Sequence, residues 1–296
     1  MTTAIQPTSP TRSSKASMIS PAFSPLRGPV SGEGPDSGFN LVDDKMISVE
    51  MHVGVNSGDI KAVKEALEKG EVPEAETKFG EQALHRAVRS GVVDVVDALL
   101  EAGASVESQD ASGKTPLITI CGTKAKNYKV GHLKIVEKLL EKGADPLATD
   151  NKGHTAIGRA AHAGHTNIVL NLLKAGVPSD EPDDDGMTPL LHAAAGKHVK
   201  IVELLLKADK MAQFRKHPVA KTNTQDKSGK SALMYAAASK RMEMVTLLLS
   251  KGADPLAEDE NGKTALKYCK KAPDCEAKIE AAANKAEGGG GKKKKK

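Results

Sequence analysis

One short phrase returns at a regular spacing along most of this chain and limits the folds available to it. The phrase has the form Thr-Pro-Leu or a close equivalent. Its first residues are Val49, Gln82, Thr115, Thr155, Thr188, Ser231 and Thr264. The differences between successive positions are 33, 33, 40, 33, 43 and 33. Self-similarity at this spacing is typical of a repeat array, in which each unit contacts only its neighbours.

Each unit of this period contains two segments with the residue pattern of helices. The first is short and rich in Ala, as in AIGRAAHAG, and the second is longer, as in LKIVEKLLEKGAD. Apolar residues of the second segment recur at i, i+3, i+4 and i+7, which is the spacing of one helix face. Stretches rich in Asp, Gly and Asn follow and predict turns between units. Because a single helix pair cannot bury its apolar face, the pattern predicts an all-α solenoid of stacked pairs.

The composition favours thin helical layers over one large globular core. Hydrophobic residues make up 39% of the 296 residues, but aromatic residues make up only 2%, and there is no Trp. Large compact cores normally rely on aromatic rings for buried area. The three cysteines, Cys121, Cys269 and Cys275, are odd in number and lack the spacing of metal ligands. We therefore expect reduced thiols, as in a cytoplasmic protein.

The repeated motifs resemble those of the ankyrin repeat. Two of the phrases that carry the resemblance are GHTAIGRAAHAGHTNIVLNLLKAG and GKSALMYAAASKRMEMVTLLLSKGAD. The resemblance covers residues 46–287 in about seven units, of which we expect the first and the last to be caps. It implies an ankyrin-repeat solenoid of helix-turn-helix units with protruding finger turns and a concave face that binds other proteins. Residues 1–45 and 288–296 flank this array.

The resemblance also assigns structural positions within the units. It gives the structural Thr to four residues, namely Thr115, Thr155, Thr188 and Thr264. It gives the structural His to His85, and the glycine between the two helices to Gly91, Gly131 and Gly164. Leu191 and Met234 depart from the pattern at the His position, and Lys197 and Lys240 depart from it at the Gly position.

The two ends of the chain differ from the array in composition and charge. Residues 1–45 are rich in Ser, Thr, Pro and Gly and show no period, which predicts disorder. Their Ser-Pro steps at Ser9, Ser20 and Ser24 are candidate phosphorylation sites, and a transit peptide is an alternative reading of this segment. Residues 288–296 predict a flexible Gly/Lys tail that contacts an acidic surface, directs the chain to the nucleus or increases solubility. Residues 1–32 carry +3 and residues 292–296 carry +5, so the net charge of +5 leaves −3 for the body.

The sequence predicts no catalytic residues, no cofactor and no metal site. His154, His162 and His165 lie close together, but His165 occupies a repeat position and no Cys accompanies them. The acidic run at 180–185 lacks the alternating pattern of a calcium loop and predicts a solvated turn. The Gly-Lys-Thr that begins at Gly113 lacks the earlier glycine of a phosphate-binding loop. We expect a protein that is not an enzyme.

The resemblance places the partner-binding face on exposed positions of the first helices and on the finger tips. It selects Arg86, Arg89, Arg159, His162, His192 and Tyr235. Two insertions extend this surface. The first is Thr123–Lys129, between the two helices of unit three, and the second lengthens the finger at 207–228. The longer one adds Phe214, Arg215 and Lys216, and Tyr and Arg are enriched among interface hot spots.

These residues favour a scaffold or adaptor that binds an acidic partner protein through its concave face and its extended finger. A regulator associated with nucleic acid or chromatin through the basic tail is a second hypothesis, although aromatic residues for base stacking are scarce. An inhibitory or targeting subunit of an enzyme complex is a third. We expect a monomer outside its complex, without a membrane span, in the cytoplasm, with the nucleus or an organelle as alternatives.

Overall fold

The computed structural model describes residues 49–73, 77, 80–207 and 220–289. These residues contain fourteen α-helices in seven consecutive pairs. The first helices of the pairs are α1 (Val49–Ser57), α3 (Ala83–Ser90), α5 (Pro116–Cys121), α7 (Ala156–Ala163), α9 (Pro189–Ala195), α11 (Ala232–Ala238) and α13 (Ala265–Tyr268). The second helices are α2 (Ile60–Glu68), α4 (Val93–Glu101), α6 (Val130–Glu141), α8 (Thr166–Lys174), α10 (Val199–Lys207), α12 (Met242–Ser250) and α14 (Pro273–Gly289).

The helix pairs stack into two layers. Each first helix packs against its own second helix and against the first helices of the neighbouring pairs, from α1 to α13. The second helices pack in the same order, from α2 to α14. This arrangement confirms the predicted all-α array of stacked pairs. Within the part of the chain that the structure describes, no helix is long and apolar enough to cross a membrane.

From unit two onward, the residue that marks the repeat is the N-cap of the first helix. Thr115 Oγ1 accepts a hydrogen bond from the backbone N–H of Ile118 at 3.3 Å, and Thr155 Oγ1 accepts one from that of Gly158 at 3.2 Å. Ser231 does the same for Met234 at 3.4 Å. A hydroxyl at this position satisfies an N–H that has no partner within the helix. In units three to six, the Thr or Ser therefore fixes where the first helix begins.

Four of the predicted glycine positions behave as the repeat requires, and one does not. Gly91 and Gly164 end α3 and α7 with φ of 72° and 90°, and Lys197 and Lys240 have φ of 67° and 56° at the equivalent position. The assignment of Gly131 to this turn is wrong, because Gly131 is the second residue of α6. The insertion moves the turn to residues 122–129, where it forms a short 3₁₀ turn at Ala125–Asn127. Gly131 is needed instead for close packing, since a Cβ there would lie 2.1 Å from the carbonyl oxygen of Gly91.

Aliphatic side chains and Ala fill the space between the layers. Leu84, Leu190 and Leu205 are fully buried. The predicted structural His85 is also buried, and its Nε2 lies 2.8 Å from the carbonyl oxygen of Lys114 in the next unit. Leu191, which takes the equivalent place in unit five, is buried as well. The position therefore accepts either an apolar side chain or a histidine that bonds to the next unit.

Five of the described finger turns are built around one aspartate each. In the finger before α7, Asp150 Oδ1 accepts hydrogen bonds from the backbone N–H of Lys152 and His154, both at 3.0 Å. The finger aspartates of the other units, which make the same pair of bonds, are Asp110, Asp183, Asp226 and Asp259. Backbone bonds join successive fingers, as in Asn151 N–H to the carbonyl oxygen of Ser112 at 2.9 Å. The fingers are therefore held together as a row.

The last helix pair contains a disulfide between Cys269 and Cys275. The prediction of three reduced thiols is wrong for this pair, and Cys121 is a free buried thiol. Cys269 follows α13 and Cys275 is the third residue of α14, so the intervening turn brings their Cα atoms to 5.7 Å. Cα atoms of disulfide-bonded cysteines usually lie at such a separation. The bond depends on this turn, which the number and spacing of the cysteines do not reveal.

Candidate interaction site

Three of the binding-face residues selected from the sequence occupy one row of positions in the fold. Arg159, His192 and Tyr235 each lie nine residues after a finger aspartate, on the first helix that follows that finger. His192 Nε2 lies 2.8 Å from Asp183 Oδ2. The Tyr235 hydroxyl donates to Asp226 Oδ2 at 2.5 Å, and Tyr268 makes the equivalent bond to Asp259. First helices and fingers thus meet along one face.

Arg86 and Arg89 lie at the start of this face but differ in how they are held. The Arg86 guanidinium donates to Asn56 Oδ1 from Nε at 3.1 Å and from Nη2 at 2.9 Å. It also approaches Glu81 Oε2 at 3.5 Å, and its side chain is only 19% exposed. Arg89 pairs with Glu81 too, but 47% of its side chain is exposed. Arg89 is therefore the arginine of the two that is better placed to meet a partner.

A groove with a strongly positive lining crosses the face next to Arg89. We call it the cationic groove; it has a volume of about 380 Å³ and lies over α5. Its basic lining residues are Arg89, Lys114, Lys124, Lys126 and Arg159. Among the described residues that line it, Asp110 is the only acidic one, and its Oδ1 accepts two backbone N–H groups. The groove therefore carries an excess of positive charge.

The insertion in unit three and a glycine shape this groove. The insertion supplies Lys124 and Lys126, which are both exposed. At its base, a Cβ added to Gly122 would lie 3.1 Å from Arg159 Nε, so the absence of a side chain lets the arginine lie against α5. The sequence identified the insertion as a possible contact surface, and the structure shows that it borders the groove.

Two hydroxyl oxygens in residues that line the groove lack hydrogen-bond partners. Thr119 Oγ1 and Thr123 Oγ1 are both buried, and neither has a partner among the described residues. Most buried polar atoms in proteins are hydrogen-bonded, so such an atom often marks a place for a water molecule or a ligand. Thr119 occupies the row position that holds Arg159 in the next unit. Its short side chain leaves space above α5.

Tyr235 is held more firmly than an exposed anchor would be. Its ring is half-buried, and its hydroxyl bonds to Asp226 and approaches Met187 Sδ at 3.6 Å. Burial and the hydrogen bond to the Asp226 carboxylate raise the pKa of Tyr235 well above its usual value. The hydroxyl thus stays protonated and bonded within the chain. A partner would meet the edge of a fixed ring.

The remaining predicted finger residues fall outside the part of the chain that the structure describes. Phe214, Arg215 and Lys216 lie in the gap between residues 207 and 220. At the near side of the gap, Lys207 pairs with Glu203 on α10. At the far side, Lys221 is exposed.

The sequence missed an apolar groove between the second helices. It has a volume of about 480 Å³, and Leu170 of α8 and Leu204 of α10 line it together with Lys200 and Lys251. Both leucines adjoin the apolar stripes that form the buried faces of α8 and α10. Their half-burial arises because they lie at the edges of those stripes.

Of the three histidines that lie close together in the sequence, His165 bonds to the preceding unit, while the rings of His154 and His162 both approach that of His192. His165 Nε2 lies 2.6 Å from the carbonyl oxygen of Thr123, and burial lowers the pKa of His165. His162 is exposed, and its ring meets that of His192 edge to face at a centroid distance of 5.8 Å. The group that the fold assembles is instead His154, Asp183 and His192. Sequence reasoning missed it because His154 and His192 belong to different units of the array.

The acidic run at 180–185 is only partly the solvated turn that the sequence predicts. Asp184 and Asp185 are exposed. Asp183 is buried instead, because its carboxylate is the finger aspartate of unit five and contacts His192. Burial lowers the pKa of His192, while the contact with Asp183 opposes that change. A buried acid of this kind could be found from the sequence only through its register in the repeat.

Comparisons with known proteins agree with this fold. Three copies of a sequence profile described as ankyrin repeats match residues 51–150, 124–217 and 213–277. The protein named "Ankyrin repeat, SAM and basic leucine zipper domain-containing protein 1" from Mustela putorius furo is 35% identical over 107 residues, or 36% of this chain. Its counterpart from Eulemur macaco macaco is 31% identical over 121 residues, or 41% of this chain. Each match covers only 22% of the relative's length.

Solved ankyrin structures superpose on most of the chain. The ankyrin repeat domain of human ASB11 matches with a TM-score of 0.67 and 25% identity, covering 79% of this chain and 98% of that domain. The ankyrin repeat domain of Bcl-3 matches with a TM-score of 0.59 and 25% identity, covering 79% and 99%. Together with the profile matches, which extend from residue 51 to residue 277, these likenesses place the chain in the family of ankyrin-repeat proteins.

Proposed function

We propose that this chain is a non-catalytic scaffold or adaptor that binds an acidic segment of a partner protein in the cationic groove. Ankyrin-repeat domains generally mediate interactions between proteins. The observation that carries the finer proposal is the groove lining, with five basic side chains and one aspartate. An acidic peptide would complement this charge.

The chemistry of the lining suits carboxylates in particular. Arg89 and Arg159 border the groove, and a guanidinium can hold a carboxylate through two parallel hydrogen bonds. The exposed Lys124 and Lys126 add positive charge at the rim, where charges mainly accelerate association and select partners. Binding of this kind weakens as the salt concentration rises.

The rest of the proposed contact surface extends along the same face. It includes Arg86, His162, His192 and Tyr235 on the first helices, and the extended finger at 207–228 with Phe214, Arg215 and Lys216. A segment that follows the row of first helices from the groove would meet His162 and then Tyr235. Contacts with several successive units would give a long, narrow interface.

Two other hypotheses receive less support from the described residues. None of the groove-lining residues is aromatic, so the groove offers no ring on which a nucleic-acid base could stack. No described group specifically favours an inhibitory or targeting role in an enzyme complex. The groove therefore favours a protein ligand, and the cytoplasmic location stays a prediction.

A charge-matched pair of variants tests the groove. The first variant carries Arg89→Gln, Lys124→Gln and Arg159→Gln. The control carries Lys134→Gln, Lys142→Gln and Lys174→Gln, which remove the same charge from exposed positions on or next to α6 and α8. The groove variant, the control and the unaltered chain each serve as bait, and the proteins that each one captures are identified by mass spectrometry. Acidic segments of the captured proteins are then synthesised and titrated by calorimetry.

The expected result is a peptide that binds the unaltered chain and the control equally and binds the groove variant at least ten-fold more weakly. Three lost charge contacts of about 0.5–1 kcal/mol each would give such a change. Equal binding of acidic peptides to all three proteins would refute the proposal. A chain without residues 288–296 serves as a further bait. Partners that only this bait fails to capture would instead place recognition in the lysine tail.

A further inference from the structure

Three side chains from two neighbouring units meet at the bases of their fingers. His154 precedes the N-cap of α7, Asp183 is the finger aspartate of the next unit, and His192 lies on α9. Asp183 Oδ2 lies 2.8 Å from His192 Nε2 and 3.7 Å from His154 Nε2. One ligand atom from each residue lies within 4.8 Å of the other two.

Two of these side chains, His154 and Asp183, are oriented by hydrogen bonds that their other nitrogen or oxygen atom makes. His154 Nδ1 lies 3.0 Å from Asp150 Oδ2, which leaves His154 Nε2 directed at Asp183. Asp183 Oδ1 accepts backbone N–H groups from Asp185 at 3.0 Å and Met187 at 2.8 Å, which leaves Oδ2 for the histidines. In metal sites, a ligating histidine usually donates its other N–H to a carboxylate in the same way.

The distances are close to those of a tetrahedral zinc site. With zinc bonds of about 2.0–2.2 Å, neighbouring donor atoms in a tetrahedron are about 3.3–3.5 Å apart. The separations of 2.8 Å and 3.7 Å lie on either side of this range, and the two histidine nitrogens lie within 4.8 Å of each other, so small side-chain shifts would bring all three donors to one ion. A zinc ion would take the place of the proton that His192 Nε2 shares with Asp183 Oδ2.

We propose that His154, Asp183 and His192 bind one zinc ion, with Asp150 orienting His154. Two histidines and one carboxylate are a common set of zinc ligands, and such sites keep a fourth position for water or for a donor from another molecule. The side chains of His154 and His192 are 14% and 11% exposed, so an ion can enter from solvent. The ion would join two units of the array at the face that we propose for partner binding.

The test uses the full chain without a histidine tag, stripped of metal and titrated with Zn²⁺ against a chromophoric chelator. One ion per chain should bind with a dissociation constant of about 10 µM or lower. His154→Gln and His192→Gln should each weaken binding at least ten-fold, and Asp150→Asn should weaken it by about 10- to 100-fold. His52→Gln on α1 is the matched control and should bind as the unaltered chain does. Co²⁺ then reports tetrahedral coordination through its visible absorption.

Circular dichroism of each variant separates loss of the site from loss of the fold. Asp183→Asn keeps an oxygen for the finger turn and removes the charge of the ligand. This variant is used if a histidine variant does not fold. The proposal is overturned if the unaltered chain binds no Zn²⁺ in the stated range. It is equally overturned if folded His154→Gln and His192→Gln proteins bind as tightly as the control.

Discussion

Leu205 provides the most direct test of how the sequence register maps onto the core. Its side chain lies in the apolar stripe of α10, which packs against α8, α9 and α12, and none of its surface is exposed. Leu205→Ala removes three carbon atoms from this contact without introducing a polar group. The variant therefore measures packing between neighbouring units.

The expected loss of stability follows from burial. Removing three fully buried carbons costs about 2.5 kcal/mol in transfer free energy, at about 0.8 kcal/mol for each. The cavity that remains adds to this cost, because helices held on three sides cannot close around it, and Leu→Ala changes in cores cost about 2–5 kcal/mol. We expect a loss of about 3–4 kcal/mol in the free energy of unfolding.

Urea denaturation followed by circular dichroism measures this loss, with hydrogen exchange of the α10 amides as a local readout. Repeat arrays do not always unfold in one step, so both measurements are needed. Leu147→Ala is the control, since Leu147 is 54% exposed in a finger, and it should change the stability by no more than about 0.5 kcal/mol. A Leu205→Ala loss as small as that of the control would refute the register.

Three further predictions concern single residues at the turns and the core. Burial lowers the pKa of His85, whose Nδ1 has no hydrogen-bond partner in the part of the chain that the structure describes. The unfolded chain therefore binds more protons, and the free energy of unfolding should fall as the pH drops below 6.5. His85→Met should flatten this fall in urea titrations at several pH values, because Met234 occupies the same position in unit six; an unchanged slope would assign the effect to other histidines. Gly91→Ala should destabilise the chain by at least about 1 kcal/mol in thermal melts, since φ is 72° and the new Cβ would lie 2.5 Å from the His132 ring. Lys197→Gly should raise the stability by about 0.5–1 kcal/mol, because a lysine with φ of 67° is strained and glycine is not; a lower melting temperature would contradict this reasoning.

Features that recur in every unit could be predicted from the sequence. A Thr or Ser at the same place in several units is an N-cap in each, and its hydroxyl bonds to the same N–H. The recurrence supplies independent examples of one local conformation, so a single weak signal becomes a strong one. The same reasoning placed Lys197 and Lys240 at turns that normally contain glycine, and their positive φ confirms it.

Features that depend on contacts between units could not be read in this way. Gly131 was assigned to the turn between the two helices from the repeat motif alone. The insertion places that turn before Gly131, which lies in α6 instead. The resemblance selected His192 and Tyr235 as exposed positions of their first helices, but His192 is buried and Tyr235 is half-buried. The structure shows that each bonds to a finger aspartate nine residues earlier, a pairing that depends on how the finger folds back.

This pairing also explains where the cationic groove lies. In units five, six and seven, the row position holds His192, Tyr235 or Tyr268, and each reaches its finger aspartate and closes the space between finger and helix. In unit three the row position holds Thr119, whose hydroxyl has no partner within the described ranges and whose side chain is too short to reach Asp110. The space remains open there, and the basic side chains of the neighbouring units and of the insertion surround it. The candidate site is thus a local departure from the repeat, and periodicity, which identifies what the units share, does not reveal it.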